Sequence, residues 1–166
     1  MIDWILLALS NWPPELVIVF LAALPITEMR ASIPLALTAF DLSAERAVFF
    51  SILGNVLPIP PLLLFLPRVI SWVELRVPPL NRLMQRYFSY LRRRHDRVQA
   101  VGGVALGLVT LLPLPGAGVW TGCLLSVLFR LSPRVSVIAL VSGVFVEALI
   151  VTLIMTGVLG TLSWIL

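Results

Sequence analysis

Lysine is absent from the 166-residue chain, and histidine and cysteine occur once each, as His95 and Cys123. One imidazole and one thiol cannot close a tetrahedral site of N and S ligands, so no metal is expected, and no other cofactor is indicated. A lone cysteine leaves no internal disulfide; set in an apolar stretch, Cys123 reads as a small buried residue. The aspartates stand only at 3, 41 and 96, positions that exclude a membrane aspartyl protease. His95 lies among arginines outside the apolar runs and reads as solvated, so no Ser–His pair can form within a membrane. Neither G-x-S-x-G nor a P-loop occurs. The chain is not expected to be an enzyme.

Charge is the other scarcity. Only 12% of residues are charged, against about 25% in a soluble domain. Hydrophobic residues make up 60%, and the mean hydropathy is +1.05. A water-soluble chain of this composition would expose too much apolar surface to stay monomeric. The sequence therefore describes an all-α integral membrane protein. One spanning helix takes about 20 residues, which leaves room for about four to six membrane segments in a single domain, 1–166. The net charge of +4 comes from 12 arginines against 8 acids. Its excess sits almost wholly in one loop, so nucleic acid is not an expected partner. The opening Met1-Ile2-Asp3 has no basic region and the run Trp4–Leu9 is short, so no cleavable leader is expected.

Along the chain, residues 1–14 are too short to span; Trp4 and Trp12 suggest an interfacial helix, because indoles favour the headgroup level. Residues 15–40 are apolar but interrupted by Pro25 and Pro34, with Glu28 and Arg30 between them. A polar link, 41–46, leads to an apolar span, 47–66, whose second half is distorted by Pro58, Pro60 and Pro61. Residues 67–97 carry eight arginines against Glu74 and Asp96. Within them Leu80, Leu83, Met84, Tyr87, Phe88 and Leu91 recur at helical spacing. The stretch from about 80 to 97 thus reads as an amphipathic helix on the membrane surface, with the arginines of 76–97 among anionic lipid headgroups. A short basic loop of this kind stays in the cytoplasm. The apolar pattern resumes over 98–129, broken at Pro113–Gly118, and after the link 130–134 runs to the end of the chain.

The two halves repeat one plan: a proline-broken apolar segment, a short polar link, then a span. Pro25 precedes Gly54 by 29 residues and Pro113 precedes Gly143 by 30. With 67–97 in the cytoplasm, the acidic link 41–46 falls outside, while the link with Arg130 and Arg134 favours the cytoplasm. Segment 98–129 then begins and ends on one side and must be a re-entrant hairpin turning at its Pro-Gly tip. The same logic makes 15–40 a re-entrant hairpin entering from outside. The repeats, 15–66 and 98–166, form an inverted pair, the arrangement with which transporters build a midplane site. Ordinary kinked spans are the alternative.

A charge near the bilayer centre is costly and usually faces a partner or a cavity. Residues two apart share a side only in extended backbone. With Pro25 and Pro34 disfavouring helix at Leu24 and Ile33, the segment 26–33 is expected to be an unwound tip with Glu28 and Arg30 facing one cavity, or holding the hairpin as a structural ion pair. At the second tip, Pro113, Pro115, Gly116 and Gly118 allow a half-helix to start near Gly118 or Val119, its N-terminus offering N–H groups to an anion. Thr121 can add a hydroxyl and Arg30 a full charge; a tight packing turn is the other reading. Glu147, a carboxylate among apolar residues, is a candidate proton carrier together with Glu28, or the partner of Arg30. Two hairpins meeting at the midplane would place Arg30 beside Glu147. Asn55 could line the cavity or serve packing.

Three stretches carry a family resemblance. Leu24-Pro25-Ile-Thr-Glu28-Met-Arg30-Ala-Ser-Ile33-Pro34 resembles the Pro…Glu-Leu-Arg-Gly…Ile-Pro signature of the small multidrug export family. Gly54-Asn55 with Pro58 resembles its Gly-Asn-x-x-Pro span. Pro113-Leu-Pro115-Gly116-Ala-Gly118-Val-Trp120-Thr121-Gly122 resembles its Pro-x-Pro-Gly-Thr-Gly-Ala-Trp-Thr-Gly box. Ala31 and Ala117 depart from the pattern, where Gly and Thr are usual. The family is similar to the DedA superfamily, whose members are inferred to carry inverted re-entrant hairpins and include transporters of polyprenyl phosphate carriers. The resemblance implies a multi-pass transporter of a bacterial inner membrane. Residues and resemblance together lead to a proton-linked transporter or flippase of an amphipathic or lipid-linked substrate with an anionic headgroup. Export of cationic drugs and a non-transporting membrane scaffold are the alternatives, and a homodimer is compatible with each.

Overall fold

The computed structural model describes residues 12–76, 95–111 and 118–163. Every regular element among them is an α-helix. In chain order these are α1 (Pro14–Ala23), α2 (Glu28–Thr38), α3 (Ala44–Val56), α4 (Ile59–Arg76), α5 (His95–Leu111), α6 (Val119–Leu128) and α7 (Pro133–Ser163). The interfacial helix expected over 1–14 and the amphipathic helix expected over 80–97 lie almost entirely outside the described residues. Two stretches, Ala44–Trp72 and Pro133–Gly157, are long and apolar enough to cross a membrane. Phe49, Leu64, Phe65, Ile138, Leu149 and Leu153 are all more than half exposed. Apolar helix faces of this kind suit a hydrocarbon solvent rather than water.

The chain forms two compact units, one of residues 1–57 and 145–166, the other of 58–144. In the first, α1 and α2 are joined by the turn Leu24–Thr27. Pro25 ends the first helix, the Glu28 N–H donates to the Leu24 carbonyl at 3.2 Å, and the Thr27 hydroxyl donates back to the Leu21 carbonyl. Arg46 on α3 pairs with Glu15 on α1 at 3.1 Å, so both helices start at one end. Since α2 finishes only five residues before α3 begins, α1 and α2 are antiparallel arms with their turn at the far end. A buried Ser32–Ser51 hydrogen bond of 2.8 Å ties α2 to α3, and Ile18, Ala36 and Ala47 form a buried apolar cluster where the three helices meet.

Gly54 brings α3 against α1. A Cβ there would press on the Val19 carbonyl oxygen and stand 2.7 Å from the Ala22 Cβ. Overpacking of this kind costs about 1–3 kcal/mol, so Gly54→Ala is expected to lower the melting temperature in detergent by several degrees. Gly157→Ala is the control: nothing lies within 4 Å of that position, and the exchange should be neutral or mildly stabilising.

The second unit repeats several of these devices with other residues. Gly143 on α7 lies against Thr110 and the Gly107 carbonyl of α5, and the Ser126 and Ser136 hydroxyls bond to each other, tying α6 to α7. Helix α6 ends in a Schellman turn: Arg130 N–H donates to the Val127 carbonyl at 3.1 Å and Leu131 N–H to the Ser126 carbonyl at 3.0 Å.

Two sequence expectations need correction. Pro60 and Pro61 do not distort a span; they occupy the first turn of α4, where the missing N–H is no loss, and the helix runs through Pro67 to Arg76 rather than stopping at 66. Nor is 26–33 unwound. The break covers only 24–27, and Glu28 to Ile33 are helical despite Pro34, because an apolar setting leaves an interrupted helix little choice but to re-form its remaining backbone bonds.

Candidate functional site

Glu28 opens α2 with φ at 44°, a left-handed conformation that costs a side chain with a Cβ roughly 1–2 kcal/mol. On a regular helix Glu28 and Arg30 would point apart; with the backbone reversed at Glu28, its carboxylate lies within Coulombic range of both Arg30 and Glu147. The side chain is only 3% exposed, and its Oε1 has no hydrogen-bond partner among the described residues.

Arg30 Nε stands 2.9 Å from Glu147 Oε1. The pairing argued from charge neutrality is therefore present, and Glu147 supplies it from α7. Among the described residues neither buried Glu147 oxygen has a partner that meets full hydrogen-bond geometry. The contact is Coulombic, with the guanidinium about a quarter exposed and the carboxylate buried.

Asn55 joins this group through the register of α2 and α3. Glu28 lies one turn before Ser32 and Asn55 one turn after Ser51, and Ser32 bonds Ser51 across an antiparallel pair. The two displacements run the same way, which sets Asn55 level with Glu28 at the turn end of the hairpin. Its amide is buried, and neither Oδ1 nor Nδ2 has a partner among the described residues. Buried amides are nearly always bonded, so Asn55, like Glu28, is an exception. Gly54, next to it, serves packing against α1.

The first unit thus gathers Glu28, Arg30 and Glu147, with Asn55 on the neighbouring α3 at the level of Glu28. The other expected binding residues belong to the second unit or lie outside the described residues. Gly118 is buried and forms the N-cap of α6, so that helix begins where the sequence places it. Thr121 is half-buried one turn in. Pro113, Pro115 and Gly116 lie outside the described residues. Cys123 is fully buried on α6. The sequence argument missed the left-handed Glu28 and both serine pairs: no local signal marks a glutamate for positive φ, and serines in apolar helices are too common to single out.

The arrangement can hold a single negative charge in excess. Two carboxylates share the neighbourhood of one guanidinium, which is about a quarter exposed.

The chain matches no curated protein and no solved structure. The profile of the family described as "Putative small multi-drug export protein" matches residues 28–150, a segment that opens on Glu28, takes in Arg30 and Asn55, and closes just past Glu147. That is 123 of 166 residues (150 − 28 + 1). With its apolar helices and this match, the chain belongs to that family of membrane transport proteins.

Proposed function

We propose that the protein is a proton-linked transporter or flippase of an amphipathic substrate with an anionic, phosphate-like headgroup, resident in a bacterial inner membrane. The observation that carries this reading is the buried group of Glu28, Asn55 and the Arg30–Glu147 pair. Intramembrane ionisable residues mark substrate or proton paths. Glu28 and Glu147 handle the proton, Arg30 binds the anion, and Asn55 offers a donor and an acceptor to the headgroup. The anion-binding part given to Pro113–Gly118 and Thr121 rests on the sequence alone.

The lengths of α1 and α2 support a re-entrant hairpin in the first unit. Helices of ten and eleven residues rise about 15 Å each, half of the roughly 30 Å of hydrocarbon, so α1 and α2 suit a hairpin that enters and leaves by one face. Inverted repeats with a cytoplasmic 67–97 follow from the charge of the loops, and the shared glycine and serine devices of the two units are in keeping with them. Single cysteines at 43 and 132 in a Cys123→Ala background should be labelled from opposite sides, 43 only from outside; labelling from one side would end the inverted-repeat reading.

Export of cationic compounds is the second reading, favoured by the excess carboxylate and by the family's description. Reconstitution in proteoliposomes with lipid phosphates and cationic dyes separates the two. Arg30→Ala should reduce anion transport to background in the first case and spare or raise cation transport in the second. A protein that folds, carries neither, and is unaffected by Arg30→Ala is a scaffold.

A further inference from the structure

One exposed face of α4 changes character along its length. Leu64, Phe65 and Val69, each more than half exposed, make its earlier part apolar. Arg68, Trp72 and Arg76, all exposed, follow on the same side at steps of four. We propose that this face binds an anionic phospholipid, its acyl chains along Leu64, Phe65 and Val69 and its phosphate on the Arg76–Trp72 pair. The site belongs to the second unit and does not rest on the transport reading of the first.

Three observations carry the assignment. The first is level. No charge lies between Arg46 and Arg68, and the stretch able to cross a membrane ends at Trp72. An exposed indole at the end of a span favours the headgroup layer. The second is geometry. The Arg76 guanidinium carbon stands 5.0 Å from the centre of the Trp72 ring. Stacking takes the face of that planar group and leaves its N–H edge, the fork that matches phosphate oxygens. Among the described residues the edge has no hydrogen-bond or ion-pair partner, and a side chain already held on a ring loses less freedom on binding. Arg68 is committed differently: its Nη1 donates to the Leu64 carbonyl at 2.7 Å, so it adds positive charge to the face and is not a ligand. The third is charge. The acid of α4 stands at position 74, two residues from both Trp72 and Arg76 and so on the opposite side of the helix. The face therefore carries positive charge alone, which selects an anionic lipid over a zwitterionic one.

The full chain in phosphatidylcholine vesicles provides the test, with small amounts of phosphatidylglycerol or phosphatidylcholine, brominated on the acyl chains, as quenching probes. The Trp72 share of the fluorescence is the difference between each protein and the same protein carrying Trp72→Phe. Brominated phosphatidylglycerol should quench that share at about a tenth of the mole fraction that brominated phosphatidylcholine needs, the gain from one charge-assisted contact. Arg76→Gln should remove this preference. Arg76→Lys keeps the charge but not the stacked fork and should remove most of it, while Arg68→Gln should retain it. Exchanges at exposed positions should leave the melting temperature unchanged; should Arg76→Gln lower it, Arg76→Lys, which keeps the charge at the helix end, decides alone. Equal quenching by the two lipids in the wild-type protein overturns the proposal. So does a preference undiminished in Arg76→Gln or Arg76→Lys, which would make it a general attraction to the basic stretch 76–97, or one abolished by millimolar inorganic phosphate at constant ionic strength.

Discussion

Arg30→Gln is expected to cost about 3 kcal/mol of folding stability, the lower end of the 3–5 kcal/mol typical when one partner of a buried ion pair is removed. The lower end applies because Arg30 is about a quarter exposed, so part of the interaction is screened. What the variant leaves behind is Glu147, buried on α7 with two oxygens that no hydrogen bond satisfies. Glu147→Gln should cost less, since a partly exposed arginine can turn toward the surface whereas a buried carboxylate cannot. The double variant should fall short of the sum by about 0.5–3 kcal/mol, the range for directly coupled side chains. Arg30→Lys should keep most of the stability, because the contact is a charge interaction rather than a bidentate fork. Melting curves of the four proteins in one detergent measure all of this, and strict additivity would remove the pair as an element that holds α7 to the hairpin.

What the sequence discloses here is mostly what hydrocarbon forbids. Composition alone requires helices, and prolines with short polar links place most of their breaks: Pro25 before α2, the link before α3, Pro58 before α4, Gly118 before α6 and Pro133 at the start of α7. The Arg30–Glu147 contact is legible for the same reason, since an arginine in an apolar segment needs an acid and the apolar segments of the later half of the chain offer only one. Two boundaries misled because a proline has different effects by position. At 60 and 61 it opens a helix, and at 34 and 67 it is carried inside one, which the pattern of residues does not distinguish. The left-handed residues were not legible at all. Glu28, Asp41 and Arg130, the non-glycine residues with positive φ among those described, are charged side chains at positions where glycine or asparagine is the ordinary choice. Tertiary packing selects that backbone, and no neighbour in sequence records it. The site was therefore visible as a set of charges but not as a geometry.

Glu28→Gln is expected to reduce proton-driven transport to background while leaving the protein as stable as before or more so. Three features of Glu28 oppose folding together: positive φ, burial of a carboxylate, and an Oε1 without a partner. A buried polar atom left unpaired costs about 1–3 kcal/mol, more when it is charged. Glutamine keeps the shape and removes the charge, so the desolvation cost falls and the excess negative charge beside Glu147 disappears. Glu28→Gly isolates the backbone contribution: it relieves the left-handed strain and should raise the melting temperature by about 2–4 °C for a gain near 1 kcal/mol. A residue whose removal stabilises the fold and stops the activity is one held against stability for function. The two measurements are melting in detergent and uptake into proteoliposomes with and without an imposed pH gradient. In the wild-type protein uptake should follow the gradient, and in Glu28→Gln it should not. If Glu28→Gln transports at the wild-type rate, the carboxylate carries no proton. If both variants lose stability, Glu28 is a structural residue of the hairpin, and the proton must travel by Glu147 alone.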